Sequence, residues 1–138
     1  MFDHCLYFNT TALARRLEQE WADAFAAFGL TPPQAFMLRA VLAAPGMLQR
    51  DLSAQLSIAK STATRALDVL AAKGYIERQA GAGDGREKAI FPTSSAVAIH
   101  GELEKASGAV TARLKKLMGT AGFTDSVSTI KDVRAALA

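Results

Sequence analysis

With 138 residues, half of them hydrophobic, the chain is expected to form one domain, or one domain with an oligomerisation lobe. Its net charge of +3 permits nucleic-acid binding without demanding it. A single cysteine excludes an internal disulfide and a cysteine zinc site and suits a reducing compartment.

Residues from about Asp3 to Phe28 read as one helix. Leu6, Leu13, Leu17, Trp21, Ala24 and Phe28 make its apolar stripe, Arg15, Arg16, Glu18, Glu20 and Asp23 lie off it, and Gly29-Leu30 closes it. Thr31-Pro32-Pro33-Gln34 opens a second helix as a capping box, with Thr31 the N-cap and proline in the first turn. Met37, Leu38, Val41 and Leu42 continue its apolar face until Pro45-Gly46. A short helix bearing Leu52 and Leu56 follows, then a tight connection at Ser57 and Ile58, then a helix from about Lys60 to Lys73. On that helix Ala63, Ala66, Leu67 and Leu70 share one face, and Ser61, Thr62, Arg65, Asp68 and Lys73 the other. Gly74 stands where a left-handed stop residue is wanted. Tyr75 to Arg78 reads as a strand, Ala80 to Gly85 as a turn, and Arg86 to Phe91 as the return strand. Helix, turn, helix, hairpin is the winged helix-turn-helix order, whose second helix suits a DNA major groove.

After Thr93 a long helix runs to about Met118, with Ser94-Ser95 read as its cap. Ile99, Leu103, Ala106, Val110, Leu114 and Leu117 form a seam suited to another helix. Gly119 to Gly122 interrupts it, and Phe123-Thr124-Asp125 starts a last helix, Thr124 as cap, with Val127, Ile130 and Leu137 on its apolar side. The expected fold is mostly α with a small β-hairpin wing. Residues 1–138 form one domain: 1–30 and 94–138 build a helical dimerisation lobe, and 31–93 a winged helix-turn-helix DNA-binding lobe. The terminal stripes present more apolar surface than so short a chain covers by itself, which predicts a homodimer. No apolar run approaches the roughly 18 residues of a membrane span. No basic-then-apolar leader opens the chain, so a cytoplasmic protein is expected.

The ordered set Leu52, Leu56, Lys60-Ser61-Thr62-Ala63-Thr64-Arg65, Leu70, Lys73-Gly74-Tyr75-Ile76-Glu77-Arg78, and Asp84 with Arg86 resembles the MarR (multiple antibiotic resistance regulator) family of winged-helix transcription regulators. The spacing from Gly74 through Asp84 to Thr93 fits the family's wing, and the flanking helices extend the resemblance over nearly the whole chain. The resemblance implies a homodimeric, sequence-specific regulator of transcription, more often a repressor, released by a small ligand or by thiol oxidation. It implies double-stranded DNA as partner, through a pseudo-palindromic operator. The chain departs from the family at two helix caps, Leu48 and Ala59, where Ser or Thr is usual, each loss costing about 1 kcal/mol. Ser57 or Ser61 is expected to substitute in part at the second. Gly85 stands where a second wing arginine is frequent.

Ser61, Thr62, Thr64 and Arg65 lie near the amino end of the second helix of the motif, within reach of bases and phosphates. The plainer alternative is a solvated face with Arg65 paired to Asp68. By the resemblance, Arg86 enters the minor groove and Asp84 steadies the hairpin; otherwise both belong to a surface turn. Lys60, Arg50, Arg78 and Lys88 are candidate phosphate contacts. Between Met47 and Lys88 seven Lys or Arg face five Asp or Glu, a local +2, so a basic patch must come from arrangement.

Trp21, Phe25, Phe28 and Phe36 are either core aromatics or the wall of a pocket; the resemblance puts small aromatic effectors near them. Cys5, at the start of the first helix beside His4, is either a structural thiol or a redox sensor favoured by the helix dipole. Aligned on the family's peroxide-sensing members, Tyr7 and not Cys5 falls at the sensing position, and the partner tyrosines fall on Trp21 and Pro32. His4 and His100 stand far apart without an acidic pattern, so no metal site, cofactor or catalytic site is expected. The competing reading is a winged-helix protein-interaction module without DNA binding.

Overall fold

The computed structural model describes residues 1–80 and 87–138. Helix α1 (Leu6–Phe25) runs into a 3-10 turn (Ala26–Phe28), followed by α2 (Pro32–Ala43), strand β1 (Met47–Leu48), α3 (Gln49–Gln55) and α4 (Lys60–Ala72). Strands β2 (Ile76–Ala80) and β3 (Lys88–Pro92) then lead to α5 (Ser94–Met118) and α6 (Thr120–Leu137). The result is a mostly helical winged helix-turn-helix protein with a small antiparallel sheet.

The start of α2 follows the expected chemistry. Thr31 Oγ1 accepts from the Gln34 amide at 3.5 Å, and the Gln34 side chain accepts from the Thr31 amide at 3.1 Å, a reciprocal capping box. The C-terminus of α4 is equally well closed. Gly74 has φ +79°, the Tyr75 amide donates to the Leu70 carbonyl at 2.9 Å, and the Gly74 amide donates to Ala71 at 3.0 Å. This paired closure, the Schellman motif, needs a left-handed residue that glycine adopts without a Cβ penalty.

The sheet has the order β1-β3-β2 and is antiparallel throughout, with Met47 opposite Ile90 and Ile76 opposite Pro92. β1 is an addition to the two-stranded wing expected from sequence, since a strand of two residues carries no readable alternation. The Gly46 amide (φ +89°) donates to the Ile90 carbonyl at 2.8 Å and so brings the chain from α2 onto the sheet.

One core joins α2, α3, α4, the sheet and the middle of α5. Phe25, Met37, Leu38, Leu52, Leu67, Leu70, Ile90 and Leu103 are fully buried in it. The terminal helices are different: none of the 18 residues of α6 is buried.

Strand β2 extends to Ala80, a residue expected in the turn, β3 ends at Pro92 rather than Phe91, and three expected helix starts move. Helix α1 begins at Leu6, not Asp3, with Cys5 as its extended N-cap. Thr93, not Ser94-Ser95, caps α5: its hydroxyl oxygen accepts from the Ala96 amide at 3.3 Å, and its O–H donates to the Gly74 carbonyl at 2.6 Å. Gly119 alone (φ +80°) forms the break before α6, so Thr124 lies inside that helix and caps nothing. Gly122 misled because a glycine within a helix resembles a stop when only its type is read.

Candidate nucleic-acid interface

Helices α3 and α4 are joined by a turn that Ser57 takes in the left-handed region (φ +54°), with the Ile58 amide donating to the Ser53 carbonyl at 3.1 Å. Behind it, Gln49 Nε2 donates to Thr64 Oγ1 at 2.9 Å while the Thr64 hydroxyl donates to the Lys60 carbonyl at 3.0 Å. Thr64 therefore spends its hydroxyl on holding α4 against α3, although sequence reasoning grouped it with base-reading residues. Its role is to position α4.

The amino-terminal outer face of α4 is open. Lys60, Ser61, Thr64 and Arg65 are exposed and Thr62 half-buried, whereas Ala63, Ala66, Leu67 and Leu70 face the core. Asp68 pairs with Arg78 of β2 at 2.7 Å rather than with Arg65. Arg50, at the start of α3, pairs with Glu87 at the base of β3 and lies 3.8 Å from Asp51. Two of the four expected phosphate cations, Arg50 and Arg78, are thus tied to carboxylates. Lys60, Arg65 and Lys88 form no ion pair among the described residues. Asp84 and Arg86 lie outside the described residues.

Neither α3 nor α4 has a side-chain cap on its N-cap residue, Leu48 and Ala59 respectively. Ser57 does not substitute: among the described residues its hydroxyl accepts from Arg134 of α6 at 2.8 Å and from no amide of α4. Ser61 lies inside the helix, with no hydroxyl bond among the described residues. The free amides at the start of α4 remain available to an anion.

A second feature lies where α1, α2 and the α3–α4 turn meet. Leu17, Trp21, Pro32, Phe36, Leu56 and Ile58 line a cleft of about 460 Å³, with Glu18 on its rim. Of the four aromatics singled out in the sequence, Trp21 and Phe36 line this cleft. Phe25 is fully buried, edge-on to Phe36 with ring centroids 6.0 Å apart, and Phe28 packs against the core.

Behind the cleft stands a polar node that sequence reasoning missed. Arg39 of α2 donates from Nε and Nη2 to the two carboxylate oxygens of Glu104 on α5, both at 2.9 Å. Its Nη1 donates to Ser107 Oγ at 3.0 Å, and Trp21 Nε1 donates to the same oxygen at 3.1 Å. Arg39 also lies 4.8 Å over the Phe36 ring. The Arg39 hydrogen bond holds the Glu104 carboxyl below its ordinary range, against the opposing effect of burial; Coulomb attraction to Arg39 and then His100 adds to it. No local motif announces this node, because its members come from three helices; Ser107 on the inner side of the α5 seam was the one available signal.

Cys5 is exposed, its sulfur accepting from the Phe8 amide at 3.5 Å. Among the described residues no three His, Cys, Asp or Glu side chains cluster as metal ligands, and no helix is long and apolar enough to cross a membrane.

Residues 28–87 match the model of the MarR family. No curated protein sequence matches the chain. Among solved structures, the transcriptional repressor CouR bound to a 23-mer DNA duplex superposes with a TM-score of 0.88 at 22% identity, covering 96% of this chain and 94% of that one. The S. aureus MepR–DNA complex gives 0.87 at 17% identity over 99% and 100% of the two chains. The PcaV transcriptional regulator from Streptomyces coelicolor, in complex with its natural ligand, gives 0.79 at 22% identity over 91% and 92%. At these identities the likeness is one of fold, and it extends to the terminal helices on both sides of the matched segment. Residues 28–87 are thus similar in sequence to the MarR family, and the chain as a whole has the winged-helix fold of these regulators.

Proposed function

We propose that the protein is a homodimeric, sequence-specific DNA-binding regulator of transcription, acting as a repressor and released by a small ligand. The observation that carries this reading is the outer face of α4, where Lys60, Ser61 and Arg65 stand exposed at an uncapped helix start. In this reading Arg65 reads a base edge, and Ser61, Thr62 and the free amides bind phosphate. Lys88 extends the cationic track onto the wing, and the sequence adds Arg86 there. That CouR and MepR are solved with DNA supports this use of the shared fold.

Dimerisation through the terminal helices is supported by surface chemistry. Leu6, Tyr7 and Leu13 of α1, Leu117 of α5, and Val127, Ile130 and Leu137 of α6 are all exposed. An 18-residue helix with nothing buried gains little from its own chain and much from a second copy. In this reading 1–30 and 94–138 form the dimerisation lobe, 31–93 the DNA-binding lobe, and the operator is pseudo-palindromic with half-sites about one helical turn apart. Release acts through the cleft at Trp21 and Phe36; that PcaV, which has the same fold, is solved with its natural ligand supports control by a ligand, and oxidation of the exposed Cys5 is the alternative route.

The pairing of Arg50 with Glu87 and of Arg78 with Asp68 favours a second reading, a protein-interaction module, because it withdraws two cations from the surface. Salt dependence separates the two. With Lys60 and Lys88 contacting phosphate from each protomer, log K against log salt should fall with a slope of about −4. Fluorescence anisotropy on labelled duplexes measures it; binding that ignores salt, or fails at low salt, refutes the regulator reading.

A further inference from the structure

We infer that the cleft between α1, α2 and the α3–α4 turn is a site for a lipophilic cation, an apolar ring or branched alkyl body carrying an amine or quaternary ammonium, and that Trp21 and Phe36 pass its occupancy to Arg39 and Ser107. This inference rests on the proposed ligand-released regulator and assigns the chemical class of its effector.

The class follows from the lining. Leu17, Pro32, Leu56 and Ile58 supply apolar walls and Trp21 and Phe36 aromatic ones, so the body of the ligand must be apolar. The one charged side chain among the lining residues is the carboxylate of Glu18. A carboxylate ligand would meet Glu18 with like charge and find no cation in the lining. Arg39, near Phe36, is already engaged by both oxygens of Glu104 and by Ser107. A cation gains Glu18 as counter-ion and the negative face of the Trp21 indole.

The link to DNA follows from what stands behind the two aromatics. Trp21 lines the cleft with its ring and donates its N–H to Ser107 of α5. Phe36 lines it from α2 and lies under the Arg39 guanidinium, which donates to the same Ser107 oxygen. Both aromatic walls therefore end on one atom, where α2 of the helix-turn-helix lobe is fastened to α5. A ligand that turns either ring changes the bonds that set the angle between α2 and α5, and with it the separation of two α4 helices in a dimer. It acts only by fitting one angle better than the other.

Trp21 is the single tryptophan, so its emission reports the site directly. The full-length protein would be titrated with 4-tert-butylbenzylamine, 4-tert-butylbenzyl alcohol and 4-tert-butylbenzoate, three probes of one shape and different charge. The amine should bind at least tenfold more tightly than the benzoate, and Glu18→Gln, a change at an exposed position, should bring the amine to the level of the alcohol. Benzoate binding as tightly as the amine, an amine preference that survives Glu18→Gln, or no change in Trp21 emission with any probe would each overturn the assignment. In the second arm, saturating amine should shift the affinity for a labelled operator duplex at least fivefold. Ser107→Ala should still bind amine, as Trp21 emission reports, but lose the shift; a shift retained in Ser107→Ala overturns the proposed link. Failure to bind DNA under any condition would refute the regulator reading, while the charge preference would still be decided by the first arm.

Discussion

Replacing Ser107 by alanine removes one oxygen atom and creates almost no cavity, so its effect isolates the two hydrogen bonds that this oxygen accepts. Ser107 is 5% exposed and accepts from Trp21 Nε1 at 3.1 Å and Arg39 Nη1 at 3.0 Å. A buried donor left without its acceptor costs about 1–3 kcal/mol. Arg39 keeps Glu104, and Trp21 is only half-buried, so water relieves part of the loss at each donor. The expected destabilisation is about 2 kcal/mol. Urea unfolding at fixed protein concentration, followed by Trp21 emission, should show a lower midpoint with an unchanged m-value. Ser53→Ala is the matched control. Ser53 is also buried, but its hydroxyl donates only to the Gln49 carbonyl one turn back in the same helix, at 3.0 Å, and its loss should be within about 0.5 kcal/mol. A Ser107→Ala variant as stable as that control would refute the node as a structural fastening.

Ala59→Ser should stabilise the protein by about 1 kcal/mol in the same unfolding assay, because the residue is an extended N-cap with no side-chain bond to the first turn of α4. Gly74→Ala should cost about 1–2 kcal/mol purely through the left-handed backbone (φ +79°), since no atom lies within 4 Å of the added Cβ. Glu104 has its carboxyl held low by the Arg39 hydrogen bond, so its ionised form stabilises the fold above its ordinary pKa of about 4.3, and that contribution is lost as pH falls through the lower folded value. The deficit of Glu104→Gln relative to the parent should therefore be full at neutral pH and vanish in acid; a deficit independent of pH would contradict the assignment. Arg65→Ala should cost about 1–3 kcal/mol in operator binding and relax base preference at one position, as read by competition among single-base operator variants; an unaltered profile would remove Arg65 from base readout.

The helix-turn-helix was legible because its signals are local. The Thr31-Pro32-Pro33-Gln34 capping box, the Gly74 stop, and the alternation of Ala63, Ala66, Leu67 and Leu70 against Ser61, Thr62 and Arg65 each fix an element within a few residues. What escaped was what depends on partners distant in the chain. Thr64 looked like a base reader because its type and face fit, and only the approach of Gln49, 15 residues away, shows that its hydroxyl is occupied. Asp68 looked like the i+3 partner of Arg65, but Arg78 reaches it across the α4–β2 turn. The Arg39–Glu104–Ser107–Trp21 node joins residues up to 86 positions apart, which no periodicity reveals. Among the aromatics, burial rather than residue type separates Phe25, sealed in the core, from Trp21 and Phe36 at the cleft.

The most direct test of the central claim is selection of bound sequences from a random duplex pool by the purified full-length protein, at low and at physiological salt. A dimer presenting two α4 helices should enrich a pseudo-palindrome whose half-sites lie about one helical turn apart, with enrichment surviving at physiological salt. Weak retention of all sequences alike, with no palindrome at either salt concentration, would contradict the account of α4 as a sequence-reading helix.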